Sequence, residues 1–456
     1  MISSINPWSG ETLRSFPEQS QAEVNDALNA AIAAQLEWRR QPIEQRLELL
    51  PRLARILRSR KAELAALITL EMGKPISEAE AEIEKCAYTC NHYFEAAPQY
   101  LASDHIKSTA TDSFVTFEPL GVVLAIMPWN YPFWQLFRFA APALAAGNGA
   151  ILKHANNVPQ CALAIEEVFT QAGAPRGLLS TLLIDNSAVA GLISDDRIAA
   201  VTLTGSTQVG MLVAAKAGQA LKKQVLELGG SDPFIVLADA NIEDAANAAV
   251  KARFTNVGQS CVNAKRFVVD KLVADNFVDA FVEEARKLKV GDPNNPDTNI
   301  GPMARADLRQ QLHRQVQRTV EAGAIVRLGG QEVAGPGFAY EPTILDHVHP
   351  SMTAFREETF GPVAAIIRSG STQESIELAN RTEFGLAASI WTSDVGAARD
   401  LCREIHAGAV FINGVVISDP RLPFGGIKKS GYGRELGAYG IREFTNIKTV
   451  WIGPEV

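Results

Sequence analysis

The first hundred residues have the hydrophobic pattern of helices. From about Glu23 to Pro98, apolar residues recur at three- and four-residue spacing, most clearly in N-D-A-L-N-A-A-I-A-A-Q and L-P-R-L-A-R-I-L-R-S-R. S-F-V-T-F-E-P then alternates between apolar and polar positions, which is typical of a strand with one face in water. The next run, G-V-V-L-A-I, is apolar throughout, as in the buried strands of a parallel sheet.

Beyond that run, predicted strands and helices alternate. G-A-I-L-K precedes a helix over about Ala162 to Ala172, L-S-T-L-L-I precedes one from Ser187, and A-A-V-T-L-T-G precedes one from Val209 to Ala217. This order predicts a doubly wound α/β sheet. A second α/β unit begins near Gly230 with P-F-I-V-L and continues through F-V-V-D, V-A-A-I-I and A-G-A-V-F-I-N. The tail T-V-W-I-G predicts a short final strand.

The length, net charge and cysteine content of the chain exclude several classes of protein. A chain of 456 residues with a net charge of -8 allows two or three domains and has no basic footprint for nucleic acid. The N-terminal segment lacks the charge and apolar run of a signal peptide, and no apolar run is long enough to span a bilayer. Five scattered cysteines argue against a disulfide framework. We therefore expect a cytoplasmic protein without membrane or nucleic-acid partners, and we expect no metal site at the helical pair Cys86 and Cys90.

Three short motifs carry groups suited to covalent aldehyde oxidation. F-T-N-V-G-Q-S-C-V-N presents Cys261 just after a Gly-Gln-Ser turn. V-L-E-L-G-G places Glu227 between apolar neighbours, and M-P-W-N-Y-P places Asn130 between two prolines. A thiolate nucleophile, a carboxylate base and an amide donor are the parts of a reaction through a thioester. Taken singly, the three also have ordinary interpretations as a buried thiol, a helix-facing carboxylate and an amide in a turn.

These motifs, in this order and at these separations, resemble those of the aldehyde dehydrogenase superfamily. The resemblance extends from L-E-M-G-K-P near Gly73 to P-F-G-G-I-K-K-S-G-Y-G-R-E after Leu422, and it is strongest to the shorter bacterial succinate-semialdehyde dehydrogenases. It implies an α/β fold with a Rossmann-type cofactor domain, an α/β catalytic domain and a small β oligomerisation arm, hence a homodimer or homotetramer. The implied ranges are 1–100, 120–229 and 430–444 for the NAD(P)-binding domain, 230–429 for the catalytic domain, and 101–119 and 445–456 for the arm.

The coenzyme site departs from the usual dinucleotide fingerprint. T-G-S-T-Q-V-G stands where G-x-G-x-x-G is expected. Its Gly205 and Ser206 lie at a predicted helix start, where backbone N–H groups attract phosphate, although an ordinary Gly-Ser helix cap has the same pattern. Lys153 ends the strand G-A-I-L-K, at the edge where open α/β sheets bind ligands. The resemblance favours the phosphate interpretation and assigns Lys153 to the adenosine ribose.

Further coenzyme residues follow from the resemblance. It assigns Trp129 to the coenzyme, Glu358 of F-R-E-E-T-F-G-P to the nicotinamide ribose and Phe360 to the nicotinamide ring. NAD-preferring relatives carry a glutamate where this chain has Asn156, next to a further departure at His154. A carboxylate repels a 2′-phosphate, whereas an amide can donate to it. The coenzyme is therefore expected to be NADP or NAD, with NADP favoured.

The resemblance implies roles for the three reactive groups. Cys261 attacks the aldehyde carbon, and the amide of Asn130 with the Cys261 N–H stabilises the oxyanion. After oxidation, Glu227 activates the water that hydrolyses the thioester. The apolar neighbours Leu226 and Leu228 predict a partly desolvated Glu227 with a raised pKa. A base at this position favours hydrolysis over transfer to coenzyme A.

Arg138 is the residue from which we predict the type of substrate. It is the one charged residue between Gly121 and Leu152, and on a helix starting after Pro132 it shares a face with Trp134. The related succinate-semialdehyde dehydrogenases carry an arginine at this spacing, which implies an aldehyde that bears a carboxylate. The alternative interpretation of Arg138 is a structural ion pair with an Asp or a Glu. Additional candidate substrate residues are Ser418 for the carboxylate, Phe424 for the pocket wall and Arg421 as a second cation.

At two positions this chain differs from some of the succinate-semialdehyde dehydrogenases that it resembles. Some members have a second arginine where this chain has Thr255, and a second cysteine where it has Asn263, so we predict no redox disulfide. The expected activity is oxidation of succinate semialdehyde to succinate. Two alternatives stay open: a dehydrogenase for other small or aromatic aldehydes with Arg138 purely structural, and a non-catalytic member kept for structure or binding.

Overall fold

The computed structural model describes residues 1–454. Its strands are β1 (Ile2–Ile5), β2 (Thr12–Phe16), β3 (Asp104–His105), β4 (Asp112–Pro119), β5 (Val122–Met127), β6 (Gly149–His154), β7 (Leu179–Thr181), β8 (Ile198–Thr204), β9 (Lys223–Glu227), β10 (Asp232–Val236), β11 (Ala264–Asp270), β12 (Ile325–Leu328), β13 (Thr343–Asp346), β14 (Val363–Ser369), β15 (Ala387–Trp391), β16 (Ala409–Ile412), β17 (Gly431–Tyr432) and β18 (Thr445–Ile452). Its helices are α1 (Gln21–Trp38), α2 (Ile43–Leu47), α3 (Leu49–Ser59), α4 (Lys61–Met72), α5 (Ile76–Tyr100), α6 (Pro132–Ala145), α7 (Pro159–Gln171), α8 (Val189–Ser194), α9 (Thr207–Gln219), α10 (Ile242–Phe254), α11 (Ala274–Ala285), α12 (Ala306–Glu321), α13 (Thr353–Arg356), α14 (Thr372–Asn380), α15 (Val395–Leu401) and α16 (Gly437–Glu443).

A six-stranded sheet organises the first half of the chain. Its order is β17-β9-β8-β5-β6-β7, and all neighbours are parallel except the pair β17 and β9. The chain runs from β5 outward through β6 and β7, then returns to β8 on the opposite side of β5. This reversal of strand order is the switch point at which open α/β sheets bind ligands. The α/β prediction is therefore confirmed, and the carboxyl ends of β5, β6 and β8 meet at one edge.

A seven-stranded sheet organises the second half. Its order is β12-β13-β14-β11-β10-β15-β16, with β12 antiparallel to its neighbour and the remaining pairs parallel. Its central strands are buried throughout, and they pack with α10 and α11 in a core that includes a group of tilted phenylalanine rings. The segment between β9 and β10 crosses from the first sheet to the second, so the end of β9 lies beside the start of the second unit.

A third, three-stranded sheet has the order β18-β4-β3. β18 pairs with β4 in antiparallel register from Thr445 opposite Pro119 to Ile452 opposite Asp112. The predicted short tail strand is thus eight residues long. Residues 455 and 456 of the predicted arm lie outside the described residues. Across residues 1–454, no helix combines the length and apolar character needed to cross a membrane.

Local sequence signals explain several element boundaries. Ser20 and Glu23 form a capping box that starts α1, and Pro132 occupies the first turn of α6, where its missing N–H has no cost. The helical prediction from Glu23 to Pro98 matches α1 to α5, although α5 continues past Pro98 to Tyr100. The pattern did not predict strands β1, β2, β3, β9, β12, β13, β15 and β17.

Candidate active site

Two connected cavities lie where the sheets meet. The larger, of about 930 Å³, is lined by the ends of β5, β6 and β8 and by the start of α9. The smaller, of about 610 Å³, reaches Cys261 and Asn130. Pro128, Ser206 and Arg305 are among the residues that line both cavities, so the two form one crevice. The switch-point geometry therefore brings the predicted coenzyme residues and the predicted reactive residues to the same place.

The turn before Cys261 has a strained backbone. Asn256 and Val257 have φ of 55° and 57°, and Gly258 follows at 68°, so three consecutive residues are left-handed. This conformation is unfavourable for a β-branched valine and persists only where surrounding contacts enforce it. Glu78 accepts a hydrogen bond from the Asn256 N–H at 2.7 Å. The Asn256 amide also donates to the backbone oxygen of Asn130 at 2.8 Å, which ties the turn to the asparagine motif.

Cys261 is a partly exposed thiol in a low-polarity setting. Burial raises the pKa of Cys261 to about 11, against the lowering effects of Arg138 and Lys265. A thiol in this environment is protonated at neutral pH, so nucleophilic attack requires removal of its proton. The remaining four cysteines are free, and Cys86, Cys90 and Cys161 are fully buried. Cys261 is thus the cysteine that lines the crevice.

Asn130 is buried beside the cysteine turn. Its Nδ2 donates to the backbone oxygen of Gln259 at 3.0 Å. Because an amide nitrogen carries two hydrogens, this contact orients Asn130 and leaves one N–H for another acceptor. The side-chain Oε1 of Gln259 in turn accepts from the Ala304 N–H at 3.0 Å, which fixes the turn on its far side. Asn130 therefore has the placement of a preorganised oxyanion donor.

Glu227 ends β9 and is 1% exposed. Neither of its carboxyl oxygens has a hydrogen-bond partner among residues 1–454. Burial, and then the charge of Glu435, raise the pKa of Glu227 well above its ordinary value. A buried carboxyl group with a raised pKa and without internal hydrogen-bond partners fits the role of a hydrolytic base.

Arg138 lies next to this carboxylate and forms a buried ion pair with Glu435. Its Nη2 also donates to Thr204 Oγ1 at 3.3 Å, and its guanidinium lies 4.7 Å from the ring centroid of Phe424. Phe424 and Glu435 exchange two backbone hydrogen bonds of 2.7 Å, which place both under Arg138. The placement favours a structural ion pair, and the assignment of Arg138 to a substrate carboxylate stays a prediction.

Two glycines of the sequence motifs leave room for carboxylates. A Cβ at Gly425 would lie 2.6 Å from Glu227 Oε1, and Gly425 also has a φ of +150°. A Cβ at Gly229 would lie 2.6 Å from Glu358 Oε2. Both distances are far below van der Waals contact. The glycines in V-L-E-L-G-G and P-F-G-G therefore permit close approach of side chains from other parts of the chain.

Glu358 lines the smaller cavity, and its carboxylate is held by neighbouring groups. Its Oε1 accepts from the Gly230 N–H at 3.0 Å and lies 3.4 Å from Lys265 Nζ. Lys265 also donates to the backbone oxygens of Ser260 and Cys261 at 2.9 and 2.8 Å. One buried ammonium thus links the predicted ribose carboxylate to the cysteine turn. Phe360, two residues after Glu358, packs edge-to-face against Trp129 with ring centroids 5.8 Å apart.

The larger cavity fits a dinucleotide. Ser206 caps α9 by accepting from the Val209 N–H, so its hydroxyl hydrogen and the first helical N–H groups remain available to a phosphate. Lys153 donates to Asn156 Oδ1 at 2.6 Å and to Asn186 Oδ1 at 2.7 Å. Asn157 Nδ2 is a buried donor without a partner among the described residues. Unsatisfied donors beside a helix N-terminus suit the phosphates and ribose of NADP or NAD.

The charges that line the larger cavity favour NADP, the coenzyme with the additional 2′-phosphate. None of the described residues that line it is Asp or Glu, whereas Lys153, Lys216 and Arg305 are cationic. Asn156 Oδ1 is occupied by Lys153, so the amide presents its N–H₂ group elsewhere. The neighbouring His154 accepts from the Ala155 N–H through Nδ1 and therefore donates through Nε2 to the Pro132 oxygen at 2.9 Å. Burial lowers the pKa of His154 to about 4, so it stays neutral and fixes the start of α6.

The predicted substrate residues lie around Arg138. Trp134 shares its helix and is buried, Phe424 lies against its guanidinium, and Ser418 accepts a hydrogen bond from Lys85 at 2.8 Å. Arg421 is directed elsewhere, because it is exposed and forms an ion pair with Asp419 at 2.5 Å. The sequence interpretation missed Glu435, Lys265, Asn256 and Lys85. Glu435 lies within the motif that follows Leu422, so that motif held a signal for it.

Comparisons with known proteins show which family, sequences and solved structures this chain is similar to. The model of the aldehyde dehydrogenase family matches residues 1–450. The chain is 52% identical over 451 residues to a probable succinate-semialdehyde dehydrogenase [NADP(+)] of Synechocystis sp., with 99% of each chain covered. It is 49% identical to succinate semialdehyde dehydrogenase [NAD(P)+] Sad of Escherichia coli, covering 98% of this chain and 97% of that one. A crystal structure of succinic semialdehyde dehydrogenase from Streptococcus pyogenes in complex with NADP+ superimposes with a TM-score of 0.97 at 34% identity, covering 100% of both chains.

Proposed function

Because this chain belongs to the aldehyde dehydrogenase family, we propose that it oxidises succinate semialdehyde to succinate with NADP⁺ or NAD⁺. The observation that carries the proposal is the meeting of Cys261 and Asn130 in one crevice whose far wall is cationic, with the charge of the buried Glu227 acting on Cys261. The names of the similar proteins support the aldehyde and the coenzyme. One water is consumed, and the carboxylic acid, the reduced coenzyme and a proton are formed.

The residues act in a defined order. Cys261 loses its proton and its sulfur bonds to the aldehyde carbon, while the free N–H of Asn130 and the backbone N–H of Cys261 stabilise the resulting oxyanion. A bound nicotinamide coenzyme supplies the two-electron acceptor. Oxidation leaves a succinyl thioester on Cys261. Glu227 then takes a proton from a water molecule, and the water oxygen adds to the thioester carbon. The carbon–sulfur bond breaks, which releases succinate and the thiol of Cys261.

Glu435 and Arg138 support the hydrolytic step. Burial raises the pKa of both Glu227 and Glu435, but the ion pair with Arg138 opposes this shift at Glu435. A first proton is therefore taken up by Glu227. Because the folded pKa of Glu227 is raised, its base form becomes abundant only at a higher pH than for an ordinary glutamate. We therefore expect hydrolysis, when it limits turnover, to accelerate with increasing pH.

Substrate charge provides the direct test of the proposal. The kcat/KM of the wild-type enzyme should be about 10- to 150-fold higher for succinate semialdehyde than for uncharged butanal, because one charge-assisted hydrogen bond contributes about 1.5–3 kcal/mol. Steady-state formation of NADPH at a fixed pH measures both values. Equal kcat/KM values would contradict recognition of a carboxylate and would support the alternative of a dehydrogenase for other small aldehydes.

Coenzyme preference has a separate test at Asn156. Replacing it with glutamate should raise the Kd of NADPH more than 10-fold, because a carboxylate would lie in a cavity that otherwise has none. The Kd of NADH should change much less. Quenching of intrinsic tryptophan fluorescence measures binding without turnover, and Asn156→Gln serves as the uncharged control of similar size. A similar loss for both coenzymes would show that Asn156 does not lie near the 2′-phosphate.

The domain division and the assembly also belong to this proposal. We assign 1–100, 120–229 and 430–444 to coenzyme binding, 230–429 to catalysis, and the three-stranded sheet to an oligomerisation arm. Ile447 and Trp451 of β18 are 63% and 56% exposed, and β18 has a free edge in its sheet. Exposed apolar side chains on an edge strand favour pairing with a second subunit.

A further inference from the structure

Lys265 is a fully buried lysine in contact with the turn that presents the reactive cysteine. It is the second residue of β11, and none of its side chain is exposed. Its Nζ donates to the backbone oxygen of Ser260 at 2.9 Å and to that of Cys261 at 2.8 Å. The same Nζ lies 3.4 Å from Glu358 Oε1. The side chain therefore reaches back from the strand to the two peptide groups around the thiol.

The contacts of Lys265 are those of an ammonium group. An ammonium has three N–H donors and no acceptor, and its three polar neighbours are two carbonyl oxygens and a carboxylate oxygen. Burial lowers the pKa of Lys265, whereas the charges of Glu358 and Asp232 raise it. An apolar side chain of similar size would avoid the free-energy cost of burying a charge. Packing alone therefore does not account for a lysine at this position.

The Ser260 oxygen belongs to the same peptide group as the Cys261 N–H. That N–H is one of the two donors assigned to the oxyanion, and within residues 1–454 it has no hydrogen-bond acceptor. The peptide group is trans and planar, so its C=O and its N–H point in opposite directions. Because Lys265 holds the oxygen, it also fixes the direction of the N–H.

Two donors hold this carbonyl group. Besides Lys265 Nζ, the Asn263 N–H donates to the Ser260 oxygen at 3.3 Å and closes the turn around Cys261. The contact from Lys265 is the shorter of the two and is charge-assisted. A cation at the oxygen of an amide also polarises its N–H, which strengthens that group as a donor. Lys265 can thus improve both the direction and the strength of the Cys261 N–H.

We infer that Lys265 is a positioning residue of the oxyanion site, which orients and polarises the N–H of Cys261 through the Ser260 oxygen. The inference rests on the covalent route of the proposed function and deepens it. Asn130 contributes the second donor from a separate segment, and its amide is oriented by the Gln259 oxygen. In this role Lys265 acts through the peptide group rather than on the substrate itself.

Two reactions of the thiol separate this role from an effect on the thiol itself. In acylation by p-nitrophenyl acetate, the sulfur of Cys261 bonds to the carbonyl carbon and forms a tetrahedral oxyanion, which then expels p-nitrophenolate and leaves an acetyl thioester. In alkylation by iodoacetamide, the sulfur displaces iodide directly and no oxyanion forms. Both reactions need the thiolate, so the ratio of their second-order rate constants is insensitive to the pKa of Cys261. The ratio therefore reports stabilisation of the oxyanion.

The decisive variant is Lys265→Met, which keeps a long unbranched side chain and removes the ammonium. Without added coenzyme and at one pH, we expect the ratio of acylation to alkylation to fall about 5- to 50-fold. Asn130→Ala, which removes a complete donor, should lower it about 10²- to 10³-fold. Lys265→Gln keeps a neutral N–H donor and should recover part of the ratio. Lys287→Met, which breaks an exposed ion pair with Glu284, is the matched control and should keep the wild-type ratio.

The outcomes separate the inference from the proposed function. If wild-type enzyme forms no acetyl adduct on the peptide that contains Cys261, the covalent route of the proposed function fails. If wild-type enzyme is acylated there and Lys265→Met keeps the wild-type ratio, including through an equal fall in both rates, the proposed function stands and the inference is overturned. NADPH binding monitors the fold, because Lys265 does not line the larger cavity. Loss of NADPH binding in both Lys265→Met and Lys265→Gln would assign Lys265 to folding and would also overturn the inference.

Discussion

Replacing Cys261 with alanine should lower kcat for succinate semialdehyde by about 10⁴-fold or more. The sulfur forms the bond on which the whole sequence of steps depends, and loss of a covalent nucleophile typically has effects of this size or larger. None of the remaining cysteines can substitute, since three are fully buried and Cys402 lies at the end of α15. NADPH formation measured by absorbance provides the comparison.

Two controls accompany the alanine variant. Cys402→Ala removes a partly exposed thiol outside the crevice and should keep wild-type activity. Binding of NADPH to Cys261→Ala should be within about threefold of the wild-type Kd, because Cys261 lies outside the larger cavity. Substantial turnover by Cys261→Ala would refute a covalent route, and it would point to a different nucleophile.

Replacing Glu227 with glutamine should separate the two halves of the reaction. The amide keeps the shape of the side chain but cannot accept the proton of water, and a general base typically contributes about 10²- to 10⁴-fold. We therefore expect a rapid burst of about one NADPH per active site, followed by a steady-state rate lowered by that factor. Stopped-flow absorbance resolves both phases.

The burst is the diagnostic part of this result. A glutamine that only weakened binding or folding would lower the amplitude and the steady rate together. Glu84→Gln, which breaks an exposed ion pair with Arg58, provides the matched control and should behave as wild type. A variant with wild-type steady-state turnover would show that water is activated by another group. In the wild-type enzyme, the steady rate should rise with pH wherever hydrolysis limits it.

The hydrophobic pattern predicted the elements with long apolar runs. β5, β6 and β8 are largely apolar, buried strands at the switch point, and their positions were predicted from the chain alone. β9 and β15 were not, because K-Q-V-L-E has charge at both ends and A-A-S-I-W is rich in alanine, which fits a helix as well. Missing β9 also left Glu227 without its structural context at a strand end.

The candidate site was predicted in part. Motif order identified Cys261, Asn130 and Glu227. The structure brings Cys261 and Asn130 to one cavity and places Glu227 close enough for its charge to act on Cys261. The motif after Leu422 contains Glu435, but its pairing with Arg138 could not be predicted, because the two residues are far apart in the chain and meet beside the backbone bridge between Phe424 and Glu435.

The most direct test is to trap the thioester. Glu227→Gln should be mixed with succinate semialdehyde and oxidised coenzyme, quenched in acid within the burst phase, and examined by intact mass and peptide mapping. The account predicts a stoichiometric succinyl adduct on the peptide that contains Cys261, and none without coenzyme. Burst formation of reduced coenzyme with no adduct, or with an adduct on a different residue, would contradict it.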